Sequence, residues 1–131
     1  MKLSRRIENE RGQTMVEFAI VVPLLLVIVF GIFQFGVLYN DYVALTDATR
    51  VGARKAAVSR HEANPEAEAE AALRDAAVGL TQDDLEVVVD ATAWEHGEDV
   101  TVSASYPYEV NLLGLVVASG ELESETTERV E

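Results

Sequence analysis

Glu17 stands at the mouth of a long apolar run, five residues after Gly12 and four after Gln13. A carboxylate held at the centre of a bilayer costs ~2.5–3.5 kcal/mol, and less near a helix end. Two chemistries fit such a placement. The side chain snorkels to the interface, or it neutralises a specific cation there. The chain's other reactive groups are sparse. His61 and His96 are the only histidines, and their spacing matches no metal-ligand pattern. Asp83-Asp84 and Glu98-Asp99 are acid pairs of the kind that mark solvated turns. There is no cysteine, so disulfides, thiol nucleophiles and thiolate metal sites are excluded. No phosphate-cradling glycine loop, G-x-S-x-G or H-E-x-x-H occurs. No enzyme, cofactor or metal centre is expected.

What must position Glu17 is the apolar run itself. Phe18 to Tyr39 is 22 residues with Gln34 its one frankly polar member. As a helix it covers about 33 Å, against ~30 Å of hydrocarbon. A soluble core helix seldom sustains such a run, and a cleavable secretory signal would have a shorter core followed by a small-x-small site. The sequence after Tyr39, NDYVALTDATR, has no such site. Lys2, Arg5, Arg6 and Arg11 precede the run, which places the N-terminus in the cytoplasm. Arg50, Arg54 and Lys55 lie well beyond it and oppose that orientation only weakly. Pro23 frees the carbonyl of Ala19 and predicts a local kink. Gly31 and Gly36 fit equally as ordinary membrane-helix glycines or as packing positions.

The charge is divided to match. The chain of 131 residues carries a net charge of −13. Residues 1–60 contribute +3 and residues 61–131 contribute −16. A balance this acidic argues against nucleic acid as a partner.

The segment ERGQTMVEFAIVVPLLLVIVFGIFQFG resembles the N-terminus of type IV pilin-like proteins and, more narrowly, the TadE-like family of tight-adherence (Flp) pilus assembly. The likeness rests on Arg11-Gly12, Val16-Glu17-Phe18-Ala19, Pro23, the aliphatic run and an aromatic-glycine pair. LTDATRVGARKAAV, residues 45–58, resembles the family's A-R-x-G-A-R-x-A stretch, with Thr49 where alanine is common. The resemblance covers residues 10–58. It implies that a membrane prepilin peptidase cuts between Gly12 and Gln13, where glycine offers no Cβ obstruction. Glu17 is then the fifth mature residue. It lies one helical turn from the new α-amino group, which it could neutralise within its own chain or a neighbour's. The implied partners are that peptidase, other pilin-like subunits and the membrane platform of the pilus machine.

Beyond Tyr39, Tyr42, Leu45, Ala48, Gly52, Ala56 and Ser59 continue at helical spacing to about Arg60. Ala48, Gly52 and Ala56 form a small-residue ridge for close packing, against the chain's own head or another subunit. Arg50, Arg54 and Lys55 lie off this stripe and read as a solvated face. Asn64-Pro65 predicts a helix start, with Asn64 as N-cap, and Gly79 its end. Leu73, Ala76, Ala77 and Leu80 give that helix a thin apolar edge. Residues 84–95 and 99–108 read as strands joined by a turn at 95–98, and LESETTERVE, 122–131, as a third. VNLLGLVVAS, 110–119, is too short to span a bilayer. It reads as a core loop, a membrane-touching loop or a subunit contact.

The fold class is therefore α+β: a long N-terminal helix, half membrane-spanning and half amphipathic, on a small antiparallel sheet in a pilin-like layout. The expected organisation is a basic leader at 1–12, a helix at 13–60 that spans the cytoplasmic membrane over 18–39, and an acidic extracytoplasmic head at 61–131. The expected function is a structural pseudopilin, a minor subunit processed by prepilin peptidase. The competing reading is an uncleaved bitopic adaptor whose acidic head recruits a basic partner.

Overall fold

The computed structural model describes residues 3–131, with side chains from residue 12 onward. Met1 and Lys2 of the expected leader, and the side chains of Arg5, Arg6 and Arg11, lie outside the described residues. Helix α1 runs without interruption from Leu3 to Val58, so residues 3–12 share one helix with the apolar run and the distal ridge. Pro23 sits inside it. The helix stops two residues short of Arg60, as Ser59 and Glu62 enter a turn closed by Glu62 N–H to Ser59 O at 2.9 Å.

Helix α2, Pro65–Ala76, starts where the sequence predicts. The Asn64 side chain accepts from Ala67 N at 3.3 Å, satisfying one of the amides that a helix start leaves unpaired. Its end comes earlier than predicted. Ala77, not Gly79, is the C-cap, and Gly79 with φ of 89° serves the turn after it. Arg74 explains the tight connection: its guanidinium holds Glu70 at 2.8 Å and donates to the carbonyls of Gln82 and Leu85. Replacing Asn64 with Ala is expected to lower the head's stability by about 1 kcal/mol. Chemical denaturation should show it as a lower midpoint with an unchanged slope.

The sheet is an antiparallel meander, β1 Glu86–Ala91, β2 Asp99–Leu112 and β3 Leu115–Arg129. The expected α+β arrangement of a long helix on a small antiparallel sheet is thus present. The strand bounds differ from expectation. A short 3-10 turn at Gln82–Asp84 takes the start of the first predicted strand, and residues 92–98 form a wider loop than the predicted turn. Residues 110–119, read as a core loop, a membrane-touching loop or a subunit contact, complete a hairpin whose turn is Leu113-Gly114, and residues 113–119 are exposed and not part of the core. Beyond Ser105, β2 has no β1 partner, so the sheet narrows to a two-stranded arm.

The core lies between the distal half of α1, helix α2 and the inner sheet face. Leu45, Ala48, Leu73, Val100, Val102 and Val130 are fully or almost fully buried there. Alternation along β2 delivers Val100, Val102 and Ala104 inward and leaves Thr101, Ser103 and Ser105 outside. The buried band on α1 is wider than the predicted stripe. Thr49, Ala53 and Ala57 join it because α1 packs on α2 and on the sheet at once. Tyr42, placed on the stripe by spacing, stays 45% exposed.

Candidate functional site

Gly12 and Gln13 are neighbours on one turn of α1, and Glu17 lies one turn further on. Gln13 Nε2 donates to Glu17 Oε1 at 3.1 Å, the i to i+4 reach of neighbours on an α-helix. All three residues are exposed. A Cβ built on Gly12 meets nothing within 4 Å, and the same holds at Gly31 and Gly36. These helix glycines are therefore open positions within the chain, bare to whatever surrounds it.

The apolar run is equally bare. Among the described residues one helix is long and apolar enough to cross a membrane, and none of its most apolar window is buried. Phe18, Ile20, Ile32, Phe33 and Phe35 are each more than 65% exposed. A core helix of a soluble protein would be covered; this one presents a full apolar girdle. Only a narrow face departs from that pattern. Gln34, Leu38 and Asp41 are half-buried and lead at helical spacing into buried Leu45.

The distal ridge behaves differently. Ala48 and Ala56 have no exposed surface. A Cβ on Gly52 would stand 3.0 Å from Leu73 Cβ and 3.3 Å from the carbonyl oxygen of Ala69. The ridge thus receives α2 of the same chain. Lys55, read from the sequence as solvated, pairs with Glu68 of α2 at 3.3 Å, while Arg50 pairs along its own helix with Asp47 at 3.4 Å.

The acidic sheet face carries a shallow open groove lined by Glu86, Val88, Ser103, Ser105, Glu123 and Glu125. Register explains how it tolerates its charge. Ser105 of the central strand lies between Glu86 and Glu123, which keeps like charges two strands apart. Among the described residues no group of three His, Asp or Glu side chains could hold a metal ion.

Sequence reasoning missed one contact that ties the two halves together. Gln34 Nε2 donates to the backbone carbonyl of Asn111 at 2.8 Å, linking the apolar helix to the tip of the hairpin. The available signal was Gln34 itself, a lone amide in an apolar run that needs a partner.

No curated protein and no solved structure matches the chain. One family model does, that of the TadE-like protein, over residues 12–54. Its span begins at the open glycine, takes in Glu17 and the bare apolar helix, and ends on the ridge just past Gly52. Residues 12–54 of this chain are similar to the TadE-like protein family.

Proposed function

We propose that the chain is a pseudopilin of a tight-adherence pilus, cut between Gly12 and Gln13 by a prepilin peptidase. In this reading it lies across the cytoplasmic membrane with its N-terminus inside and its acidic head outside. Its role is structural: it joins other pilin-like subunits and the membrane platform by helix packing. The observation that carries this reading is the Gln13–Glu17 pairing at the edge of a bare apolar helix within a TadE-like segment. Cutting before Gln13 would create an ammonium one turn from a carboxylate, both at the boundary of a low-dielectric phase. The high negative charge of the head favours a minor subunit, since many identical acidic heads would repel in a dense fibre.

The test is the N-terminal residue of the membrane-extracted protein by mass spectrometry. Gln13 supports the pseudopilin; Met1 favours the uncleaved adaptor. Glu17→Gln refines it. The expected variant is processed normally, because the peptidase acts before the amine exists, yet fails to co-purify with other pilus subunits. Leaving a desolvated ammonium without its counter-charge can cost a few kcal/mol, and far less if water reaches it. Wild-type association by Glu17→Gln would assign the carboxylate to snorkelling alone.

A further inference from the structure

We propose that the β2–β3 hairpin tip, residues 112–117, rests in the leaflet on the head's side of the bilayer, docked against the helix at Gln34. The proposal rests on the reading of α1 as a membrane span and adds a second membrane contact to it. Four observations carry it.

The first is depth. Gln34 lies five residues inside Tyr39, about 7 Å along the helix axis at ~1.5 Å per residue. Its hydrogen bond to Asn111 pins the hairpin at that level. Leu113 lies two residues further along the strand direction, up to about 7 Å more at ~3.3 Å per residue. The tip therefore reaches up to about 14 Å inside Tyr39, within the ~15 Å of hydrocarbon that belongs to the head-side leaflet.

The second is composition. Residues 110–120 contain no charged side chain, although Glu109 and Glu121 bracket them and the region from 61 onward carries −16. Leu113, Leu115, Val116 and Val117 are 66%, 72%, 54% and 55% exposed, continuous with the bare helix.

The third is backbone strain. Leu113 has φ of 53° and Gly114 φ of 90°, the signs required of a two-residue type I′ turn. Asn, Asp or Gly suit the first position, and a leucine there costs roughly 1 kcal/mol or more. Neither its conformation nor burial within the chain accounts for a leucine at Leu113. A lipid environment does.

The fourth is the distribution of tyrosine. Of the chain's four tyrosines, Tyr106 packs on the head's core and accepts from Thr81 N at 3.3 Å, while Tyr39, Tyr42 and Tyr108 lie between the apolar zone and that core. Tyrosine favours that interfacial level because its ring is apolar and its hydroxyl wet. On the arm, Tyr108 lies across its strand partner Gly120, where a Cβ would meet the ring at 3.1 Å. Open strand edges are excluded from deep hydrocarbon, so the insertion ends with the tip.

The native chain has no cysteine, which permits single-site spin labels on the full-length protein in lipid vesicles. Ile28→Cys reports the span, Leu113→Cys and Val116→Cys the tip, and Glu125→Cys the head. Labels at 28, 113 and 116 should relax with dissolved oxygen and resist a water-soluble nickel chelate, with the label at 125 severalfold more accessible to nickel. Labels at 113 and 116 as nickel-accessible as at 125, with 28 still in lipid, would overturn the tip proposal and leave the span intact. Shielding of 113 and 116 from both agents would assign the tip to a protein contact and equally overturn it. A label at 28 in water would remove the span and the tip together.

Discussion

Gly52→Leu should abolish the docking of α2 and with it the cooperative unfolding of the head. The site has no room for the first added atom. Leu73 Cβ lies 3.0 Å from the position a Cβ would take, and the backbone oxygen of Ala69 lies 3.3 Å away. Neither neighbour can swing aside, because one is a Cβ whose position the backbone of α2 fixes and the other a helical carbonyl. Relief requires α2 to move as a body. That movement uncovers Leu73 and Ala69, which are both fully buried. It also separates Lys55 from Glu68, an exposed pair that contributes little by itself. Overpacking of a closed core costs ~1–3 kcal/mol where neighbours can shift, and a buried leucine returned to water costs another ~1.5–3 kcal/mol. A loss of several kcal/mol is a large part of a typical domain's ~5–15 kcal/mol. Gly52→Ala adds only that first atom and should fall between wild type and the leucine variant, because a shift of α2 by a few tenths of an ångström relieves it and ~1 kcal/mol of gained helix propensity offsets part of the cost. Thermal unfolding of the detergent-solubilised chain, followed by near-ultraviolet circular dichroism, distinguishes the three forms. An unchanged transition in the leucine variant would refute the α1–α2 packing.

The small-residue ridge was legible as a ridge, but its partner was not. Spacing of three and four along α1 selects Ala48, Gly52 and Ala56 from the chain alone, since one face of a helix repeats that way. Whether the face meets its own head or a second copy depends on tertiary geometry, and here α2 of the same chain occupies it. Periodicity also underestimated the buried width. A single stripe describes one packing surface, whereas α1 meets α2 and the sheet together, so Thr49, Ala53 and Ala57 are buried as well.

The start of α2 was readable because Asn64-Pro65 acts locally: one side-chain oxygen caps one amide. Its end was misplaced because glycine marks turns generally, and Gly79 belongs to the turn after the helix. The hairpin at 110–119 was obscured for a different reason. Its turn is Leu-Gly rather than Asn-Gly, and its strand residues, Asn111 and Ser119 apart, are apolar without a period of two, so neither turn chemistry nor alternation announced it. A segment shaped for lipid loses the signals by which a water-exposed hairpin is read. The bare helix posed no such difficulty, because its length and lack of charge are themselves the signal.

Gly12→Leu should leave the fold and membrane insertion untouched and yet stop maturation. It is the same substitution as at Gly52, in the same helix, with the opposite structural consequence. A Cβ at Gly12 meets nothing within 4 Å, so the leucine has open space. Its helix propensity is better than that of glycine by most of ~1 kcal/mol, which if anything firms the local helix. The apolar run from Phe18 to Tyr39 is unaltered, so insertion is retained. Any loss must then arise in trans, at an enzyme that has to bring its catalytic groups to the peptide bond after residue 12. A branched side chain beside that bond obstructs the approach that glycine permits. The expected result is a single, longer, membrane-bound species whose N-terminal residue is Met1. It should have wild-type thermal unfolding of the head, which Gly52→Leu lacks. Gly12→Ala, with one added carbon, should show partial processing. Full conversion of the leucine variant to a species beginning at Gln13 would dissociate the glycine from cleavage. A wild-type chain that itself begins at Met1 would remove the peptidase from the account altogether and leave the adaptor reading in its place.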